Sequence, residues 1–213
     1  MRDILNPSQE KYINSFRRND DPLIMEMEEY AAEHRVPILS WQSADLLEIM
    51  IRIMRPKRVL EIGTAIAYSS IRIARSLKKK GVLHTIEKSK DNITVARKNI
   101  KKAGLEEKIE IIEGDALKVI PELEKKYDFI FLDADKEDYK GLFDYSIVLL
   151  KKKGVIFVDN LLWHGYAAVK KVPPDYRESA GHIKEFNEMF FSQKNLKTVL
   201  IPVGDGIGIG LRE

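Results

Sequence analysis

The chain has 213 residues, 44% of them hydrophobic and 32% charged, with a net charge of +3. That length suits a single domain over residues 1–213 with a sizeable core, and the charge is too mild to imply nucleic acid by itself. Cysteine is absent, which excludes disulfides, thiolate metal sites and cysteine nucleophiles.

The opening MRDILNPSQEK carries no apolar signal core and no run approaches membrane-spanning length, so the expectation is a cytoplasmic protein without a membrane partner. Residues 1–55 read as a helical cover. Pro7-Ser8 starts a helix through Arg18, Asp20-Asp21-Pro22 starts another through Glu33, and Trp41–Met54 carries apolar residues at helical spacing. From residue 56 to 213 the pattern changes to strands alternating with helices. Strands are expected at Arg58–Ile62, Val82–Glu87, Ile109–Ile112, Phe129–Leu132 and Val155–Val158. Between them lie helices at Tyr68–Lys79, Lys90–Ala103, Ala116–Glu124 and Asp138–Leu149. Continuous apolar strands in such alternation imply an α/β fold whose parallel sheet has helices on both faces. A last helix, Arg177–Phe191, precedes strands at Lys197–Val203 and Gly206–Leu211. Gly204-Asp205 joins these two as a short connection, so they form an antiparallel hairpin.

The acids fall at one edge of this sheet. Glu61 ends the first strand, Glu87 the second, Asp133 the fourth and Asp159 the fifth, with Asp115 just past the third. In open α/β sheets ligands bind beyond the carboxyl ends of the strands. Any one of these acids alone reads as a helix cap; five in register point to a functional edge.

VLEIGTAIAYSS (Val59–Ser70) is a strand, a glycine turn and a helix start. Gly63 lets the backbone pass close to a ligand and Ser69 offers a hydroxyl. A nicotinamide enzyme would place glycines where Ala65 and Ala67 stand, and Glu61 would repel a pyrophosphate. S-adenosylmethionine, cationic and free of phosphate, fits better. Glu87 stands where an acidic residue grips ribose hydroxyls. Gly114-Asp115-Ala116 reads either as an adenine contact or as a turn with an N-cap. Asp133, Asp159 and Asn160 offer three hard oxygen ligands from adjacent strand ends, a set suited to Mg²⁺ or another hard divalent cation. Lys136, three residues after Asp133, stands where a divalent cation and a methylsulfonium both disfavour its charged form, so it can act as a base.

In this order VLEIGTAIAYSS, HTIEKS, IEGDAL, FLDADKEDY, FVDNLLWHG and IPVGDGIGI resemble the cation-dependent O-methyltransferases, the catechol and caffeoyl-CoA type, over nearly the whole chain. The resemblance implies a Rossmann-like class I methyltransferase fold, with a mostly parallel seven-stranded sheet and a C-terminal antiparallel hairpin. It implies S-adenosylmethionine contacts at Glu61, Gly63, Ser69, Glu87, Asp115, Ala116 and Asp133, and also at Val36 and Leu39 of EYAAEHRVPIL. It further implies a metal at Asp133, Asp159 and Asn160, a base at Lys136 and a homodimer. Ala67 departs from the glycine usual there. VPIL, LEIGTAIAYS, DNLLWHG and IPVGDGIGI look most like a bacterial subgroup that methylates 5-hydroxyuridine at the tRNA wobble position. Under that reading tRNA is the substrate partner and Lys170, Lys171 and Arg177 meet phosphates. Trp163 and Tyr166 either stack on a base or serve packing or a dimer contact. A small catechol-like phenol is the alternative acceptor. A nicotinamide oxidoreductase and a non-catalytic dinucleotide-binding or scaffold protein are the rival classes.

Overall fold

The computed structural model describes residues 6–18 and 21–213, so Asp20, placed by the sequence reading at the head of the second helix, lies outside the described residues. Seven strands form one sheet: β1 (Arg58–Ile62), β2 (Val82–Glu87), β3 (Ile109–Glu113), β4 (Tyr127–Leu132), β5 (Leu150–Val158), β6 (Leu196–Ile201) and β7 (Ile207–Arg212). Their spatial order is β3-β2-β1-β4-β5-β7-β6. The first five run parallel, and β7 is antiparallel to both β5 and β6, so the closing hairpin is as expected. Strand order reverses between β1 and β4, the switch point where an open α/β sheet leaves a crevice at its carboxyl edge.

The helices are α1 (Pro7–Asn14), α2 (Pro22–His34), α3 (Trp41–Met54), α4 (Tyr68–Ser76), α5 (Lys90–Ala103), α6 (Ala116–Val119), α7 (Tyr139–Leu149) and α8 (Pro174–Phe191). Alternation along the strands feeds two cores. Val59, Leu83, Phe129, Phe131 and Phe157 pack with α2, α3, α4 and α5 on one face. Leu60, Ile62, Ile130, Leu132 and Ile156 pack with α7 and α8 on the other. Because both faces are covered, the strands read as unbroken apolar runs. Arg72 of α4 pairs with Asp45 and Glu48 of α3, while Tyr68 donates to Glu28 of α2 at 2.7 Å, tying the amino-terminal helices to the sheet layer. α1 buries no residue. No described helix is long and apolar enough to cross a membrane.

Several boundaries differ from the sequence reading for local reasons. β5 begins at Leu150 because the Lys151–Lys153 run, exposed at Lys152 and Lys153, is strand, anchored by a 2.7 Å bond from Lys151 to Asp128. An exposed strand end gives no apolar signal. α6 stops at Val119, where Pro121 forces a 3-10 turn over Ile120–Glu122. α8 starts three residues early, at Pro174, whose fixed φ suits a first helical turn.

Candidate active site

Register explains why the acids converge. Ile62 pairs with Ile86 and with Leu132, and Leu132 with Val158. The next residues, Gly63, Glu87, Asp133 and Asp159, therefore share one rung at the carboxyl edge. Backbone bonds continue the ladder across it, with Asp133 N–H donating to Ile62 O at 3.0 Å and Asp159 N–H to Leu132 O at 3.1 Å. Gly63, at φ +103°, must be glycine: a Cβ there would stand 1.8 Å from the Asp133 carbonyl oxygen. Close contact between the β1 and β4 loops depends on that missing atom.

Glu61 is set back two residues from this rung, paired with Thr85 and Phe131 inside the sheet. It is fully buried and accepts bonds from Ser69 Oγ (2.5 Å), Thr85 Oγ1 (2.7 Å) and Ser70 Oγ. Burial pushes its carboxyl up to about 7, against the pull of the three hydroxyls. With an unfolded value near 4.5, the group contributes stability that is fully present below that pH and lost as pH rises through about 7. Glu61→Gln is expected to flatten the dependence of stability on pH across this window. Denaturant midpoints at about pH 4.5 and about pH 8, in chelator, check it.

A cavity of about 1120 Å³ opens over the rung. Leu39, Gly63, Ser69, Glu87, Gly114, Asp115 and Ala116 line one part of it; Asp133, Lys136, Asp159 and Asn160 line the other. Two residues expected as cofactor contacts, Glu61 and Val36, are not in the lining. Glu61 lies beneath it, and Val36 packs against the α2–α3 core. The turn after β1 keeps a glycine-like path even with alanines, since Ala65 (φ 46°) and Ala67 (φ 68°) are both left-handed. Each costs about 1–2 kcal/mol. Ala67, the residue preceding α4, is fully buried and does not line the cavity. Glu87 steadies the same turn, accepting from Ala65 N–H at 2.8 Å and from Ser89 N–H at 2.9 Å. Asp115 caps α6 through Leu117 N–H at 3.0 Å and also lines the cavity, so the capping role leaves it within reach of a ligand there.

At the other end, Lys136 Nζ lies within hydrogen-bond distance of four acceptors, Asn160 Oδ1 (2.7 Å), Tyr139 OH (2.7 Å), Ala134 O (2.9 Å) and Asp133 Oδ1 (3.3 Å), which share its three N–H donors. Its ammonium thus bridges two of the three expected metal ligands. Asp159 Oδ1 is buried and has no hydrogen-bond partner among the described residues. Burial, then the neighbouring Asp133 carboxylate, pushes Asp159 up to about 8. A buried, unpartnered carboxylate oxygen facing a second carboxylate is the environment that a cation relieves. The donor set therefore fits a hard divalent ion: two carboxylates and an amide carbonyl, with no sulfur or nitrogen. Among the described residues no three of His, Cys, Asp or Glu cluster closely enough to hold a metal. The expected trio contains only two such residues, so it rests on the Asn160 carbonyl.

Two neighbours escaped the sequence reading. Tyr139, closing FLDADKEDY, is fully buried, with Lys136 Nζ 4.6 Å from its ring centre and its OH donating to Asp159 O at 3.1 Å. Burial raises its phenol well above the usual range, so it stays a neutral donor. Asp205 was read only as part of a hairpin connection, yet it bonds to Asn160 and His164. A polar residue between two glycines at a strand-to-strand turn was the available signal.

A seven-stranded sheet closed by an antiparallel pair, with a glycine turn and an acidic edge at its switch point, defines a Rossmann-like methyltransferase. The chain belongs to the O-methyltransferase family, whose family model matches residues 14–213. It is 34% identical over 199 residues to a caffeoyl-CoA O-methyltransferase of Medicago sativa, covering 86% of this chain and 79% of that protein. A Staphylococcus aureus structure provisionally assigned as a caffeoyl-CoA O-methyltransferase superposes with a TM-score of 0.90 at 31% identity, covering 97% of this chain and all (100%) of that one. The O-methyltransferase TomG from Streptomyces achromogenes, involved in tomaymycin synthesis and solved with S-adenosylmethionine, gives 0.84 at 27% identity, with 96% of each chain covered. The chain is accordingly an S-adenosylmethionine-dependent O-methyltransferase of the caffeoyl-CoA type.

Proposed function

We propose that the chain methylates a hydroxyl that has a second oxygen beside it, using a hard divalent cation held by Asp133, Asp159 and Asn160. The acceptor proposed is 5-hydroxyuridine at the wobble position of tRNA, yielding 5-methoxyuridine. The observation that carries the reading is the unpartnered Asp159 oxygen on the same rung as Asp133, within a cavity that Lys136 also lines.

Gly63 and Ser69 receive the methionine end of the cofactor, Glu87 its ribose hydroxyls, and Gly114, Asp115 and Ala116 its adenine. A divalent cation held by Asp133, Asp159 and Asn160 would supply Lewis-acid polarisation of the acceptor. The acceptor oxygen forms its bond to the methyl carbon as the carbon–sulfur bond breaks, leaving a neutral thioether. Lys136, unprotonated, takes the acceptor proton at Nζ. Tyr139 OH steadies that amine by accepting from it.

Lys170, Lys171 and Arg177 support the tRNA reading. They are exposed, and none has an ion-pair partner among the described residues. Lys170 and Lys171 lie in the segment between β5 and α8, whose Trp163 and His164 line the cavity, and Arg177 lies near the start of α8. Free cations there suit a phosphate backbone. A small catechol-like phenol is the second reading, favoured by the caffeoyl-CoA relatives, and its two adjacent oxygens meet the same requirement. Labelled methyl incorporation into tRNA bearing 5-hydroxyuridine, run beside a catechol panel, decides. The tRNA is expected to take label at that nucleoside. Label in catechols with none in the tRNA would remove the RNA substrate and leave the chemistry intact.

A further inference from the structure

We propose that Asp205, in the turn between β6 and β7, is a positioning residue that fixes the orientation of the Asn160 amide and holds the strained loop behind it. The inference rests on the metal reading above and extends it to a residue outside the proposed ligand set.

The loop after β5 is under backbone strain. Asn160 (φ 63°), Trp163 (φ 45°) and His164 (φ 55°) are all left-handed without being glycine. Such conformations persist only where surrounding structure holds them. The hairpin turn provides that hold: Leu161 N–H donates to Gly206 O at 2.9 Å, Leu162 N–H to Asp205 O at 2.9 Å, and His164 N–H to Asp205 Oδ1 at 2.6 Å. Gly206 lets the two segments meet, since a Cβ there would stand 2.9 Å from Leu162 N and 2.6 Å from its Cγ.

The same carboxylate acts on the ligand itself. Asn160 Nδ2 donates to Asp205 Oδ2 at 3.4 Å, while Asn160 Oδ1 accepts from Lys136 Nζ at 2.7 Å. At 3.4 Å the first contact is long, so its influence lies in sign more than strength. Turning the amide over would set its NH₂ against an ammonium and its oxygen against a carboxylate. Both neighbours therefore impose one orientation, with the carbonyl oxygen toward Lys136 and the cavity. A cation held at Asn160 Oδ1 would compete with Lys136 for that oxygen, leaving Asp205 to direct the amide from its nitrogen side. Such outer partners tune metal affinity by about 10–100-fold.

Asn160→Asp supplies the discriminating background, because a carboxylate presents an oxygen whichever way it turns. Mn²⁺ affinity is measured by electron paramagnetic resonance, with S-adenosylhomocysteine present, for wild type, Asp205→Asn, Asn160→Asp and the double variant. Asp205→Asn is expected to weaken Mn²⁺ binding about 10–100-fold in the wild-type background and not in the Asn160→Asp background. S-adenosylhomocysteine affinity without metal should stay the same, which a general loosening of the loop would not allow. Asp205→Ser, which removes the carboxylate but keeps a small polar side chain, carries the same expectation and serves if Asp205→Asn folds poorly. Unchanged Mn²⁺ affinity, or an equal loss in both backgrounds, overturns the proposal. Wild-type protein that takes up no Mn²⁺ instead overturns the metal reading, and the proposal with it.

Discussion

Asp159→Asn is expected to lower kcat/KM for methyl transfer by about 10³-fold while raising the stability of the metal-free protein at alkaline pH. The rate effect follows from removing one of two carboxylates from an all-oxygen site. Losing about 4 kcal/mol of the transition-state stabilisation that a cation provides corresponds to that factor. The stability effect has the opposite sign because Asp159 is buried, lacks a partner at Oδ1 and is pushed up to about 8. A raised carboxyl contributes stability that is full below its unfolded value, near 3.8, and lost as pH rises through about 8. An amide of the same shape carries no charge to bury, so the loss disappears. Turnover assays with excess Mg²⁺, and denaturant midpoints at about pH 9 in chelator, check the two halves separately. A purely structural Asp159 would give lower stability and lower activity together.

Lys136→Met is expected to reduce kcat by about 10²- to 10⁴-fold, the range for removing a positioned general base. Lys136→Arg should be similarly impaired, since a guanidinium does not give up its proton in proteins. Metal uptake should move the other way. The ammonium now donates to Asp133 Oδ1 and Asn160 Oδ1, and methionine leaves both oxygens free. Mn²⁺ should therefore bind Lys136→Met at least as tightly as wild type, which separates loss of the base from loss of the site. Weaker Mn²⁺ binding in this variant would mean that Lys136 organises the ligands and is not their competitor.

Much of this site was legible before any fold was known, because a parallel sheet turns sequence position into spatial position. Phe129–Leu132 and Val155–Val158 announced buried strands, and whatever followed each strand had to emerge at the carboxyl edge. Asp133 and Asp159 both emerge there, and the register that sets Leu132 beside Val158 puts them on one rung. Glu61 was harder to place. It stands one residue before the strand's end, yet pairing with Thr85 and Phe131 puts it inside the sheet, where three hydroxyls bind it. Only the register between strands carries that information, and one strand read alone does not contain it. Tyr139 and Asp205 were missed for a different reason. One looked like an ordinary residue in the first turn of a helix and the other like a turn residue, while their bonds to Asp159 and Asn160 cross between separate segments. Asp205 meets Asn160 across 45 positions, a contact that no local spacing encodes.

The most direct test uses exhaustively chelated protein supplied with S-adenosylmethionine and an acceptor having two adjacent oxygens. Methyl transfer is expected to be lost, and Mg²⁺ or Mn²⁺ to restore it. Transfer at an undiminished rate without any divalent ion would contradict the metal reading.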